Sequence, residues 1–471
     1  MKKISLKWMA ALFVAIVSLS FVACGDDDEK EKESGNTETP IDPVEPTKDE
    51  AMSPVEQKEY LETVALELMD KIPATDFQDL ADMGTYINET YIKGYDWDNV
   101  ERWAKDAFNS SREALGTSPT TKLDEEYYGS KYYSVYTNYK ALLLASNFTG
   151  HFTANNGHWI QAAGNDLQFF FTDKRGRQCV LQLVTSGKVK KVNLLNVDDW
   201  TGYKYEDNGN TYSYYDYFDR TQYTIGIPEK IVVTLTQGGS KVIETEVKID
   251  LGSITGEEFN ISKDNLTVSA LTSLYNGYEI NVNKVAYTAN TQAELSFSIN
   301  KNGSSLVAMG ISGNVTGLPS VNVSDLTSED YHSDEFNNVN GKNAFAKLDI
   351  LGKVQIQGTL SDVRKFADYI EEASDHNKDE KNYKSYINQA NALADVSLFF
   401  DGKNVKQANI KLETFADEDW YNGTYWKAEP VIYFFDGSSY STFEAFFNQR
   451  DFKITIDTFK DLADKYAKLV D

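Results

Sequence analysis

Aromatic side chains gather in three stretches of this 471-residue chain. A flat ring that covers the apolar C–H face of a sugar, beside Asp or Asn groups that hold hydroxyls, is the chemistry such stretches offer. The first is Tyr127, Tyr128, Tyr132, Tyr133, Tyr136 and Tyr139; the second is Trp200, Tyr203, Tyr205, Tyr212, Tyr214, Tyr215, Tyr217, Phe218 and Tyr223, spread through what reads as a polar loop of glycine and asparagine; the third is Trp420, Tyr421, Tyr425 and Trp426. Packing is the competing explanation, because tyrosine suits strands and cross-strand aromatic pairs stabilise sheets by about 0.2 to 1 kcal/mol. The second and third stretches are the expected contacts for a glycan or another surface polymer.

Catalytic chemistry is less well provided for. Asp198, Asp199, Asp216 and Asp219 sit in the aromatic loop and include pairs that could act as glycosidase acid and base, but with 72 acidic residues a pair of carboxylates carries little weight. No G-x-S-x-G elbow and no glycine-rich phosphate loop occurs. Asp375-x-Asn377-x-Asp379 has the first spacings of a calcium loop, yet Glu380 stands where the glycine is needed and Tyr386 where the bidentate glutamate belongs. The four histidines, His151, His158, His332 and His376, make no paired zinc spacing. No cofactor and no metal is expected. The sequence therefore points to non-catalytic binding, with two alternatives: a carrier of an apolar ligand in a curled antiparallel sheet, and a glycan hydrolase using loop carboxylates.

Location is written near the start. Lys2, Lys3 and Lys7 precede an apolar run from Trp8 to Val22, the layout of a secretory signal. The run is too short to span a membrane, which takes about 20 apolar residues. It ends at Phe21-Val22-Ala23-Cys24, and Gly25-Asp26-Asp27-Asp28 follows at once. A cysteine in that place resembles the lipidation site of bacterial lipoproteins, and the acidic run after it is similar to the export signal of surface lipoproteins in the Bacteroidetes. The resemblance is confined to the first thirty residues. It implies cleavage after residue 23, acylation (palmitate) at Cys24 and a place on the outer face of the outer membrane, to which the lipid on Cys24 attaches the protein.

Residues 24–50 carry eleven acids against three lysines, with Pro40, Pro43 and Pro46 and no aromatic. Such a segment is expected to be a disordered tether reaching very roughly 30 Å. The chain as a whole has a net charge of −26; setting aside three signal lysines and a tether of −8 leaves −21 for the body from Ala51 on. A body so acidic repels phosphate backbones, which excludes nucleic acid as a partner. Apart from Cys24 the chain has one cysteine, Cys179, alternating with Leu181 and Leu183, so no disulfide framework forms and Cys179 is expected to be a buried small hydrophobe.

The elements that must position these residues follow from periodicity. Ser53-Pro54-Val55-Glu56 reads as a helix cap, and Leu61, Val64, Ala65, Leu68 and Met69 recur at helical spacing behind it. Further helices are expected at Asp76–Ile92 and Asp98–Leu115, giving a helical segment over 51–120. From Tyr132 the period changes to 2, and four stretches, Leu167–Leu183, Val232–Val247, Leu295–Ile311 and Val396–Leu412, share a hairpin format of alternating strand, polar glycine turn and second strand. One-sided strands imply an antiparallel sheet over 121–360. Helices at Ser361–Ser374, Tyr383–Ala394, Thr442–Phe447 and Asp457–Leu469, with two more strands, complete a body that runs to 471. The fold class is α+β: an N-terminal helical segment packed on a large antiparallel meander, with further helices near the C-terminus.

Overall fold

The computed structural model describes residues 44–45, 50–87, 90, 146, 149–155, 158–207, 210–252, 254, 259–322, 338–419, 423–436, 438, 440–448 and 450–470, with backbone alone at 158–159, 161, 193–207, 210–225, 419 and 470. The signal, Cys24, most of the tether and the expected helix at Asp98–Leu115 lie outside these residues. The chain forms two compact units: residues 1–82, 266–318 and 338–471 in one, and 83–265 with 319–337 in the other. The expected body at 121–360 is thus divided, and its last part joins residues 361–471. Among the described residues no helix is long and apolar enough to cross a membrane.

The first unit is built on ten antiparallel strands whose order in space is their order in sequence: β7 (Leu266–Leu274), β8 (Tyr278–Thr288), β9 (Gln292–Lys301), β10 (Ser304–Thr316), β11 (Asn340–Ile350), β12 (Val354–Asp362), β13 (Ala394–Phe400), β14 (Lys406–Asp419), β15 (Gly423–Phe434) and β16 (Tyr440–Thr442). Turn chemistry fixes the register. Asn302 and Gly303 join β9 to β10 with φ of +50° and +78°, the left-handed pair that a two-residue hairpin demands. Alternation then sorts the faces. On one side Leu348, Ile356, Leu398, Ala408 and Phe434 stand opposite one another across five strands, and Ala346, Gly358, Val396, Ile410 and Ile432 form the next row.

Helices cover that apolar side. Helix α1 (Pro54–Lys71) begins with Ser53 and Glu56 in a reciprocal capping box and lays Val64, Tyr60 and Leu61 on Val354, Leu398, Phe400, Ala408 and Ile432. The short helix α5 (Phe443–Phe446) closes the same cluster with Phe446, which is 1% exposed. Helices α3 (Val363–Asp375) and α4 (Glu380–Asn391) cover the other end of β14 and β15, where Ala373, Tyr383 and Ile387 pack on Leu412, Trp426 and Ala428. Asn391 secures α4 by exchanging two hydrogen bonds with the backbone of Leu412, at 2.8 and 2.9 Å. Asp379, the last acid of the calcium-like run, caps α4 by accepting from the amides of Lys381 and Asn382, so the run serves a helix turn.

A 3-10 turn (Ala74–Phe77) follows α1, then α2 (Gln78–Ile87). Asp76 accepts from Lys301 Nζ at 2.7 Å and from the Tyr278 hydroxyl at 2.8 Å, and the lysine holds its carboxyl below the usual carboxylate range. The last helix, α6 (Lys453–Val470), starts one turn before the expected Asp457; that residue pairs with Lys453 four positions back instead of capping. Its inward side includes Tyr466, whose hydroxyl donates to the Ile72 carbonyl, while Phe459, expected on the packed face, is 58% exposed.

The tether is expected to be disordered as far as residue 50, yet its end joins this unit. The Val44 amide donates to the Asn404 carbonyl at 2.8 Å, the Lys406 amide donates to the Val44 carbonyl at 3.0 Å, and Glu45 pairs with Lys406 Nζ at 3.2 Å. Lys406 also meets Asp395 at 3.1 Å. Its side chain is only 7% exposed; burial lowers its proton affinity, but the two carboxylates outweigh that and raise it. Gln57, fully buried on α1, donates to the carbonyls of Met52 and Gln407 and fastens the next stretch.

The second unit holds β1 (Gly150–Asn155), β2 (His158–Ala162), β3 (Leu167–Thr172), β4 (Gln178–Asp207), β5 (Asn210–Gln237) and β6 (Ser240–Asp250), ordered β6-β5-β4-β3-β1-β2. All pairs are antiparallel except β1 with β3, which run parallel. Cys179 is fully buried, as its alternation implies. The expected polar loop at 200–223 is corrected here: β4 and β5 run straight through it, paired from Cys179–Gln237 to Asp207–Asn210. The physical reason is in the residues. Tyr and Thr favour strands, and Asn208-Gly209 between the last pair is the strongest short hairpin signal a sequence carries.

Candidate functional site

On β14 and β15 the residues that alternate with the helix-covered row lie on the opposite face of the sheet: Asn409, Lys411, Glu413, Phe415 and Asp417 against Tyr433, Val431, Glu429, Lys427 and Tyr425. Tyr440 on β16 stands opposite Tyr433. These strands form here because every second position is apolar, and those positions are used up beneath the helices. What remains is a mixture of charged side chains and rings, with Asn409 and Val431 among them.

Three rings run in contact. Tyr433 and Tyr440 have centroids 5.3 Å apart, and Phe415 meets the edge of Tyr440 at 6.4 Å. Tyr440 is 40% exposed, whereas Val431, on the same face beside the tyrosines, is fully buried. Charged groups flank the rings. The Tyr433 hydroxyl donates to Glu413 Oε1 at 2.5 Å, and burial together with that carboxylate pushes its pKa well up. Lys411 Nζ lies 5.9 Å from the Tyr433 ring centre. Lys427 is held between Asp417 and Glu429, both at 2.9 Å, and the two carboxylates raise its pKa. Lys427 and the Tyr425 hydroxyl together hold Asp417 below its ordinary range.

The residues expected from sequence fall in three places. Tyr425 belongs to this patch. Trp426, one position on, lies on the covered face: it packs among the α3–α4 cluster, carries Lys384 Nζ 4.8 Å over its ring, and its amide donates to the Asn377 carbonyl. Trp420 and Tyr421, which fall between Asp419 and Gly423 in the sequence, lie outside the described residues. In the second unit, β4 and β5 bring Tyr203 opposite Tyr214 and Tyr205 opposite Tyr212, with Trp200 opposite Phe218, Tyr215 opposite Gly202 and Tyr217 opposite Thr201. Among the loop carboxylates, Asp199 stands opposite Asp219 and Asp198 opposite Arg220.

Sequence reasoning missed Phe415, Tyr433 and Tyr440. Phe415 and Tyr440 are each the single ring of their strand, and Tyr433 sits beside Phe434 in what reads as an ordinary apolar strand run, so no cluster of rings in a polar stretch announces them. The period-2 pattern over 409–417 and 425–433, followed across the hairpin, would have placed Phe415 and Tyr433 on one face.

One further constellation stands in the second unit. Asp166 accepts from Gln182 at 2.6 Å and Gln168 at 2.8 Å, and its other oxygen lies 2.9 Å from His151 Nε2; these bonds bring its pKa down to about 2. A side chain at Gly164 would collide with the His151 ring, so the glycine makes room for it. Among the described residues no group of three or more His, Cys, Asp or Glu could hold a metal ion. No protein-family model matches the chain, and no curated protein and no solved structure matches it.

Proposed function

We propose that this protein is a bacterial lipoprotein, anchored in the outer membrane through Cys24 and exposed at the cell surface, that binds a glycan without transforming it. The observation that carries the binding part is the run of rings Tyr433, Tyr440 and Phe415, flanked by Lys411, Glu413, Asp417 and Lys427 on the sheet face away from the helices. Rings in a row supply apolar faces for sugar C–H groups, and paired charges supply fixed donors and acceptors for hydroxyls. The anchor reading rests on the residues around Cys24.

Two measurements test it. Labelled palmitate should enter the wild-type protein and not Cys24→Ala, and protease added to intact cells should remove the protein. Pull-down on insoluble polysaccharides should retain wild type and lose Tyr440→Ala, with no reducing sugar released. Label in Cys24→Ala, or protection in intact cells, refutes the location; release of reducing ends refutes the non-catalytic reading and returns attention to the carboxylates.

Carriage of an apolar ligand has one observation of its own. Val282, Phe297, Met309 and Leu348 form a row across β8–β11 on the apolar side, each only half-buried, and Ile280 beside them is 39% exposed. Enhanced fluorescence of an apolar dye, displaced by fatty acid, would favour it.

A further inference from the structure

On the reading that these rings bind a glycan, the charge and spacing of the patch narrow the ligand to one kind of glycan.

Three carboxylates, Glu413, Asp417 and Glu429, face two ammonium groups, Lys411 and Lys427. Lys427 is already shared by two of the carboxylates, and Glu413 sits two positions from Lys411 on the same strand. The patch therefore carries a net charge of −1 on a body of −21. A uronate or sulfated polymer would bring its charges within one Debye length, about 8 to 10 Å, of three carboxylates; two of these already hold Lys427, which leaves Lys411 as the single ammonium of the patch to offset the excess. Hydroxyls meet no such penalty. They can add to the existing ion pairs as donors and acceptors without displacing any of them.

The direction of the ligand follows from the strands. Three of the rings are in contact, and the fourth, Tyr425, is eight residues from Tyr433 on β15, about 27 Å at the usual strand rise of about 3.4 Å per residue. Tyr440 stands opposite Tyr433, its ring meets that of Phe415, and Phe415, opposite Lys427, is next on this face to the pair Asp417–Tyr425, so the row runs from Tyr433 toward the hairpin tip.

We infer that the ligand is a neutral polysaccharide, bound as an extended stretch of several sugar units lying along β14 and β15. Size and charge are both assigned by this face: a monosaccharide would fill one ring and leave the others unused, and an acidic chain would be repelled.

Affinity electrophoresis of the whole protein through gels containing neutral polymers (β-glucan, xylan, mannan) and anionic ones (polygalacturonate, alginate, chondroitin sulfate), at about 20 and 500 mM salt, tests it. Retention by at least one neutral polymer is expected, unchanged by salt, with oligosaccharides of that polymer binding more tightly as they lengthen. Tyr440→Ala should weaken retention roughly tenfold, the usual scale for truncating a central aromatic contact, while an unchanged thermal melt of that variant guards against a folding artefact. Retention by an anionic polymer that vanishes at high salt or with Lys411→Ala overturns the charge assignment and leaves glycan binding standing. Equal binding of monosaccharide and oligomer overturns the extended mode. Failure to bind any polymer, with the variants folded, removes the glycan reading and this inference together.

Discussion

Replacing Glu45 by Gln is expected to loosen the junction of tether and body without disturbing the body itself. Two backbone hydrogen bonds hold Val44 against Asn404 and Lys406, and each is worth about 0.5 to 1.5 kcal/mol net. Ordering Val44 and Glu45 costs about 1 to 2 kcal/mol for each backbone. These terms nearly cancel, which leaves the Glu45–Lys406 ion pair to decide. Glu45 is 64% exposed, so the pair contributes about 0.2 to 1 kcal/mol, the range for solvent-facing pairs. Lys406 keeps Asp395 as a partner, so no buried charge is stranded by the substitution. Amide hydrogen exchange reads the result: protection at the Val44 and Lys406 amides should fall by about 1.4- to 5-fold, from RT of about 0.6 kcal/mol. The Met52 amide, which donates to Gln407, should be unchanged. At 1 M salt, where the Debye length is about 3 Å, the two proteins should converge. Unchanged protection at low salt would refute the role given to the ion pair. Loss extending through Met52 into α1 would refute the claim that the junction opens on its own.

Phe446→Ala should destabilise the first unit by about 3 to 5 kcal/mol, since the ring is almost fully buried against Phe434, Phe447 and Phe452; denaturant unfolding monitored in that unit checks it. Gly303→Val should cost about 1 to 3 kcal/mol, because a φ of +78° is a left-handed position that a branched residue resists; thermal melts of the variant and of Ser304→Ala as a neighbour control separate strain from composition. Asp166 has a folded pKa of about 2, below its unfolded value near 3.8, so the stability it contributes, about 2 kcal/mol, is present above pH 4 and is lost as pH falls toward 2. Unfolding free energies of wild type and Asp166→Asn should therefore differ at pH 6 and draw together near pH 2, and a constant difference across that range would contradict the assignment.

How far the fold can be read from the chain depends on whether the signal is local. The four hairpins are legible because turn chemistry and alternation both lie within about seventeen residues, and α1 is legible from Ser53 to Lys71 because its cap and its apolar stripe agree. The long β4–β5 pair reads as a loop because Gly202 and the Asp-rich positions lower strand propensity, while the deciding Asn208-Gly209 dipeptide sits far from the apolar core residues. The unit boundary near residue 265 has no marker in composition. At the candidate site, Tyr425 stands out because it belongs to a dense cluster. Tyr433 and Tyr440 do not, since what makes them a group is a cross-strand register that only folding supplies. Trp426 shows the reverse: its neighbours in sequence suggest a contact residue, and one step of strand alternation turns it under α4.

The short reach of β16 has a consequence for how copies of the protein meet one another. It pairs with only three residues of β15, Val431 to Tyr433, and from Gly423 to Pro430 the outer edge of β15 pairs with no other strand among the described residues. A bare edge is an invitation to a second chain, which could extend the sheet and begin an aggregate. Proline at 430 withholds one backbone donor from that edge, and Lys427 and Glu429 place charges that a neighbouring copy would have to bury. The charged residues that flank the aromatic row thereby also oppose edge-to-edge joining of neighbouring copies of the protein.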